Sequence, residues 1–169
     1  CSLVDICLPD EVNLLRALDG KPPVPVAPLE ITEADDPLAP LDPDPWQLTT
    51  APGTSQYTMY ADTESDPPLL VCQVGSTRLT YLLSAVEDLR AMLVAHGSWM
   101  PLGAADENKP AAEGSIEAWG RSPDKRVGGW YGQRKGYRGR FGMYLPPLLE
   151  HLGHIELEHN PRNNRARAL

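Results

Sequence analysis

Apolar and polar positions alternate from Gln56 to Ala61, which places Tyr57, Met59 and Ala61 on one side of an extended segment. Two further runs, Leu69–Val74 and Thr77–Leu82, are separated only by Gly75-Ser76, a spacing that favours a tight hairpin. In that register Cys72 faces Leu79 and Leu70 faces Tyr81 on an apolar side. Gln73 then lies opposite Arg78, and Val71 opposite Thr80, on the other. The period changes at Ser84. Val86, Leu89, Met92, Leu93 and Ala95 or His96 recur at helical spacing, and Gly97 supplies a stop. Ser84 and Glu87 have the spacing of a capping box, in which each side chain satisfies the other's early backbone N–H. A small antiparallel sheet packed on this helix is the expected core of an α+β domain.

The chain end is patterned as clearly. Pro146 and Pro147 suit the first turn of a short helix, Leu148, Leu149 and Leu152 supply its apolar face, and Gly153 ends it. Two strands, His154–His159 and Asn164–Leu169, then pair across an Asn160-Pro161-Arg162-Asn163 turn. Ile155 faces Ala168 and Leu157 faces Ala166. On the opposite side Glu156 meets Arg167 and Glu158 meets Arg165, leaving Arg162 unmatched at the tip. Between the two patterned regions, Ser98–Gly142 is rich in turn signals, with a short element expected over Ser115–Trp119.

Composition divides the chain further. Residues 10–19 read as a short amphipathic helix, and 21–45 as an acidic, Pro-rich linker that cannot bury enough surface to order itself. The organisation expected is an arm over 1–45 and one compact domain over 46–169. Charge follows a similar division. Residues 1–120 hold 5 Lys+Arg against 19 Asp+Glu, whereas 121–169 hold 10 against 4, so an acidic chain ends in a basic third. No apolar run approaches the ~20 residues of a membrane span. The three cysteines, Cys1, Cys7 and Cys72, form no metal or redox motif, and reduced thiols in a cytoplasmic protein are the expectation. Cys1 followed by Ser2 leaves a lipid-anchored form as the alternative.

The basic third concentrates its unusual composition in Gly128–Gly142, where closely spaced glycines alternate with Trp130, Tyr131, Tyr137 and Phe141 and with cationic side chains. Aromatic rings offer stacking platforms and cations neutralise phosphates. Arg134, Lys135, Arg138, Arg140 and Arg162 are the candidate phosphate contacts, and Trp130 and Tyr137 the candidate stacking residues. The segment lacks the spacing of a Walker loop or a dinucleotide fingerprint. A structural alternative is that its glycines make turns while its aromatics join the core. His154 and His159 fall on opposite sides of one strand, so neither a shared metal nor any cofactor is expected. Asp106-Glu107 and Glu113/Glu117 are read first as acidic surface positions, with a catalytic carboxylate pair as the alternative, and no catalytic residues are assigned.

A helix, a Leu-Gly stop and a basic hairpin at a chain end resemble the final part of a winged-helix DNA-binding domain. That likeness, over about 25 residues, implies a helix in the major groove and a hairpin tip on the backbone or minor groove. At a wider scale, Gly128-Gly129-Trp130-Tyr131-Gly132, Gly139-Arg140-Phe141-Gly142-Met143-Tyr144 and Glu158-His159-Asn160-Pro161-Arg162-Asn163-Asn164-Arg165 resemble an uncharacterised family of actinobacterial proteins over residues 46–169. The resemblance implies a bacterial cytosolic setting and carries no catalytic residues. Nucleic-acid binding is the first functional expectation. Protein interaction or self-association through the hairpin edge or acidic arm is the second, and a small enzyme the third.

Overall fold

The apolar alternation does build an antiparallel meander. A computed structural model describes residues 44–103, 108–125, 127–133 and 140–169. The expected helix at 10–19 and nearly all of the acidic linker lie outside the described residues, which all belong to one unit, Asp36–Leu169. Strands β1 (Trp46–Thr49), β2 (Gln56–Asp62), β3 (Leu69–Val74) and β4 (Thr77–Leu82) pair in sequence order. Cys72 faces Leu79, Leu70 faces Tyr81, Val71 faces Thr80 and Gln73 faces Arg78, as the alternation requires. β1 is an additional strand. Its Trp46 and Leu48 are buried and its Gln47 and Thr49 exposed, the signature of a strand covered on one face. Cys72 is fully buried, and desolvation pushes its thiol up to about 12, so it is an inert core residue.

Helix α1 (Ser84–His96) covers the expected residues and stops at Gly97, whose left-handed backbone donates to the Leu93 carbonyl at 3.1 Å. Its start differs from the expectation. Leu83, not Ser84, occupies the N-cap position, no side chain caps it, and Glu87 instead faces Arg90 at 3.6 Å. Leu83 is buried and its N–H is tied to the Pro68 carbonyl at 2.9 Å. The tie fixes the exit from β4 one residue early and draws Ser84 into the helix.

A second sheet completes the domain. β5 (Met100–Pro101), β6 (Ile155–Leu157) and β7 (Arg165–Ala168) lie in the order β5-β7-β6. Ile155 faces Ala168, Leu157 faces Ala166 and Glu156 faces Arg167, the register read from the sequence. Among the described residues two α-helices lie between β5 and β6: α2 (Ile116–Arg121) and α3 (Phe141–His151). α2 is the short element expected near Ser115, whose hydroxyl caps the Ala118 N–H at 3.2 Å.

α3 corrects the sequence reading. It begins at Phe141, five residues before Pro146, so both prolines lie in its interior. Interior prolines remove backbone donors and disfavour a helix. Tertiary burial outweighs that here, since Phe141, Gly142 and all positions from Tyr144 to Leu149 are buried. Tyr57 anchors the helix by donating to the Tyr144 carbonyl at 2.8 Å, and Tyr81 packs edge-on against Phe141. One apolar core therefore joins both sheets and all three helices. No helix among the described residues is long and apolar enough to cross a membrane.

Candidate functional site

The glycine-rich segment enters its described part through a left-handed turn. Gly128, Gly129, Trp130, Tyr131 and Gly132 all have positive φ, between 38° and 87°. Trp130 and Tyr131 pay about 1–2 kcal/mol each for that conformation. Packing offsets it: Tyr131 is buried, stacks on Trp119 at 5.3 Å and donates to Asp88 at 3.1 Å. Gln133 closes the turn by donating to the Thr80 carbonyl on the outer edge of β4. Trp130 is half-buried, with the Arg121 guanidinium 5.2 Å from its ring centroid and Phe141 at its edge. Tyr131 and Phe141 have thus joined the core, and Trp130 packs against it.

α3 then starts at a buried junction. The Leu102 carbonyl accepts the Glu117 N–H at 3.1 Å, and Gly142 packs so closely on Leu102 that an alanine Cβ would lie 2.8 Å from its carbonyl carbon. Glu117, read from sequence as a surface acid, is fully buried. Its carboxylate accepts the Gly142 N–H at 2.9 Å and pairs with Arg121 at 2.7 Å, completing the start of α3 with negative charge. Burial pushes the carboxyl up, against the lowering effect of Gly142 and Arg121. Arg121 also donates to the Lys109 carbonyl at 2.8 Å, drawing the turn at Lys109 onto α2. The sequence signal for this role was the Glu117/Arg121 spacing of four, one turn beyond a capping serine.

Outside this junction a cleft of about 1020 Å³ opens. Thr50–Ser55, the loop joining β1 to β2, forms one wall through Thr50, Ala51, Pro52, Thr54 and Ser55. Val74, Pro101, Leu102, Pro110, Ala112, Met143 and Tyr144 supply apolar lining, and Arg140, Arg162, Asn163, Asn164 and Arg165 supply polar lining. The hairpin tip is aimed by Asn164, which accepts from the Asn160 N–H at 2.7 Å and donates to its carbonyl at 2.8 Å. Arg162 is exposed. Arg165 is held by Glu158 at 2.6 Å and Arg167 by Glu156 at 2.6 Å, the pairs read from the sequence. Among the described lining residues three are arginines and none is Asp or Glu, in a chain with 23 acidic residues.

Two of the sequence-derived site residues, Arg140 and Arg162, are therefore brought together on one cleft, although 22 positions apart. Trp130 does not line it. Arg134, Lys135, Tyr137 and Arg138 lie outside the described residues.

His159 ties the hairpin to the cleft wall. Its Nδ1 lies 3.0 Å from the Ala51 carbonyl and its Nε2 lies 2.9 Å from Glu150 Oε1, and Glu150 raises its pKa above the ordinary 6.5. A base whose folded pKa is raised contributes its full stabilisation below the unfolded value and loses it as pH rises through the folded value. An NMR titration is expected to place His159 above 6.5. Unfolding free energy should decline as pH rises from the unfolded value through the raised folded value, and His159→Gln should flatten that decline.

The fold defines a small α+β domain with a cleft lined in part by arginines. Residues 40–169 match a family of unknown function, DUF6855, and the chain belongs to that family. No significant match is found among curated proteins. None is found among solved structures either.

Proposed function

We propose that this chain is a nucleic-acid-binding module that takes the phosphate backbone at the cleft. The observation that carries the reading is that Arg140 and the exposed Arg162 line one cleft, with no carboxylate among its described lining residues. Arginine clusters neutralise phosphates and release their counterions. Topology adds support. Among the described residues α1, α2 and α3 precede a terminal β6–β7 hairpin whose β7 also pairs with β5, an arrangement that suits the resemblance drawn from the sequence. The departure is α3, whose burial leaves little surface to enter a groove, so contact is assigned to the hairpin tip and the cleft. A protein-interaction role has less support. Val94 and Leu169 are the large apolar side chains exposed among the described residues, edge strands β1 and β6 span four and three residues, and the longer edge strand β4 already accepts from Gln133.

Fluorescence anisotropy with labelled oligonucleotides tests the reading on the full chain. Binding is expected at about 50 mM salt and should weaken steeply by about 200 mM. Arg162→Ala should reduce the salt slope by about one while leaving the fold intact. Failure of single-stranded DNA, duplex DNA and RNA alike to bind at the lower salt would remove it.

A further inference from the structure

We infer that His159 is a pH-sensitive clasp, closed only as the imidazolium, that fixes the β1–β2 loop of the cleft to the hairpin and to α3. Its two ring nitrogens both face acceptors. Nδ1 lies 3.0 Å from the Ala51 carbonyl, and Nε2 lies 2.9 Å from Oε1 of the Glu150 carboxylate. A neutral imidazole carries one N–H and one lone pair. Either tautomer would donate to one of these oxygens and set its lone pair against the other. The imidazolium donates from both nitrogens and satisfies both. Three elements meet in this bridge, since Ala51 belongs to the β1–β2 loop, Glu150 to α3 and His159 to the hairpin. The clasp holds whatever the cleft binds.

Placement gives the clasp its effect. Ala51 and its loop neighbours line the cleft, as do Arg162 and Asn163 on the hairpin. The loop keeps its own shape, because the Thr50 N–H donates to the Ser55 carbonyl at 2.9 Å and the Gly53 N–H to the Thr50 carbonyl at 2.7 Å. Losing either bond to His159 therefore uncouples the loop from Glu150 without unravelling it. The charged surroundings are simple. β1 and the loop carry no ionisable side chain, and α3 presents Glu150. On the hairpin, Glu158 is paired with Arg165 at 2.6 Å, which holds its carboxyl below the usual carboxylate range, and Arg162 is the other charged side chain of the turn. The hydrogen bond from Glu150 raises the His159 pKa above 6.5, and the exposed ring exchanges protons with solvent directly. The clasp is closed below that raised value and opens as pH rises through it.

NMR of the full chain tests the clasp with two variants chosen for opposite outcomes. Ring resonances follow His159 apart from His96, His151 and His154, and heteronuclear NOEs report backbone order at Gly53, Thr54 and Ser55. In the parent, both ring nitrogens are expected to carry protons at about pH 6, and loop order should then fall with the His159 midpoint as pH rises. Glu150→Gln can turn its amide to donate to a neutral Nε2. It should lower the His159 midpoint yet keep the loop ordered on both sides of it. His159→Ala should leave the loop less ordered at every pH. If that variant fails to fold, the parent and Glu150→Gln decide the question. Unchanged loop order while His159 titrates would overturn the inference, as would a ring with a single N–H at about pH 6. So would a Glu150→Gln variant that loses loop order as the parent does. None of these results bears on the nucleic-acid reading, which oligonucleotide binding tests separately.

Discussion

Gly142→Ala is expected to destabilise the domain by at least about 3 kcal/mol, although it adds only one methyl group. The added Cβ would meet the backbone carbonyl of Leu102. A flexible side chain could move away; this carbonyl cannot, because it accepts the Glu117 N–H while the Leu102 N–H donates to the Asn164 carbonyl at 3.0 Å. Accommodating the methyl therefore means separating α3 from β5 or breaking the start of α2. Urea unfolding and a thermal melt measure the cost, and a fall of about 10 °C in Tm is expected. A melt within about 2 °C of the parent would show that α3 does not rest on Leu102.

Glu117→Ala is expected to cost about 3–5 kcal/mol, because it removes a buried pair and the acceptor of a buried N–H. Arg121, only 11 % exposed at its side chain, would lose its carboxylate, and the Gly142 N–H would be buried without an acceptor. Glu117→Gln keeps an acceptor oxygen and should cost less. A Glu117→Leu/Arg121→Met double variant removes both charges and is expected to be more stable than Glu117→Ala. If the double variant is the less stable, the cost lies in packing and not in the loss of the Glu117 acceptor. Because Glu117 holds the start of α3, Glu117→Ala should also weaken ligand binding at the cleft by displacing Arg140.

Local patterns were the legible part of this protein. The β3–β4 register followed from alternation across a two-residue turn, and the β6–β7 register from two independent signals, apolar pairing and charge pairing, which agreed. Elements whose stability comes from elsewhere in the chain were less visible. β1 is four residues long and is recognised only once β2 lies beside it. The capping box at Ser84 is sound local chemistry, but a hydrogen bond to Pro68 set the helix start instead. Pro146 and Pro147 suggested a late start to α3, because no local preference reveals that burial of Phe141, Tyr144 and Leu145 will outweigh two interior prolines.

The shape of the candidate site was not legible in the sequence. Cationic residues in the basic third were identified from composition, yet the cleft draws its lining from separate segments between Thr50 and Arg165. No linear motif could announce it. Composition also assigned Trp130 a ligand-stacking role that the fold does not place at the cleft, since packing against Arg121 and Phe141 sets its position. Glu117 was the opposite case. Its residue type suggested a surface position, whereas the fold places it beneath the site.

The central claim is that ligand meets protein at this cleft. An amide NMR titration of the full chain with a short single-stranded oligonucleotide tests it directly. Shift changes are expected at Thr54, Ser55, Gly103, Arg162 and Asn163, with little change at Glu156 and Arg167 on the exposed face of the hairpin. Changes centred on that hairpin face, or an unaltered spectrum at low salt, would contradict it.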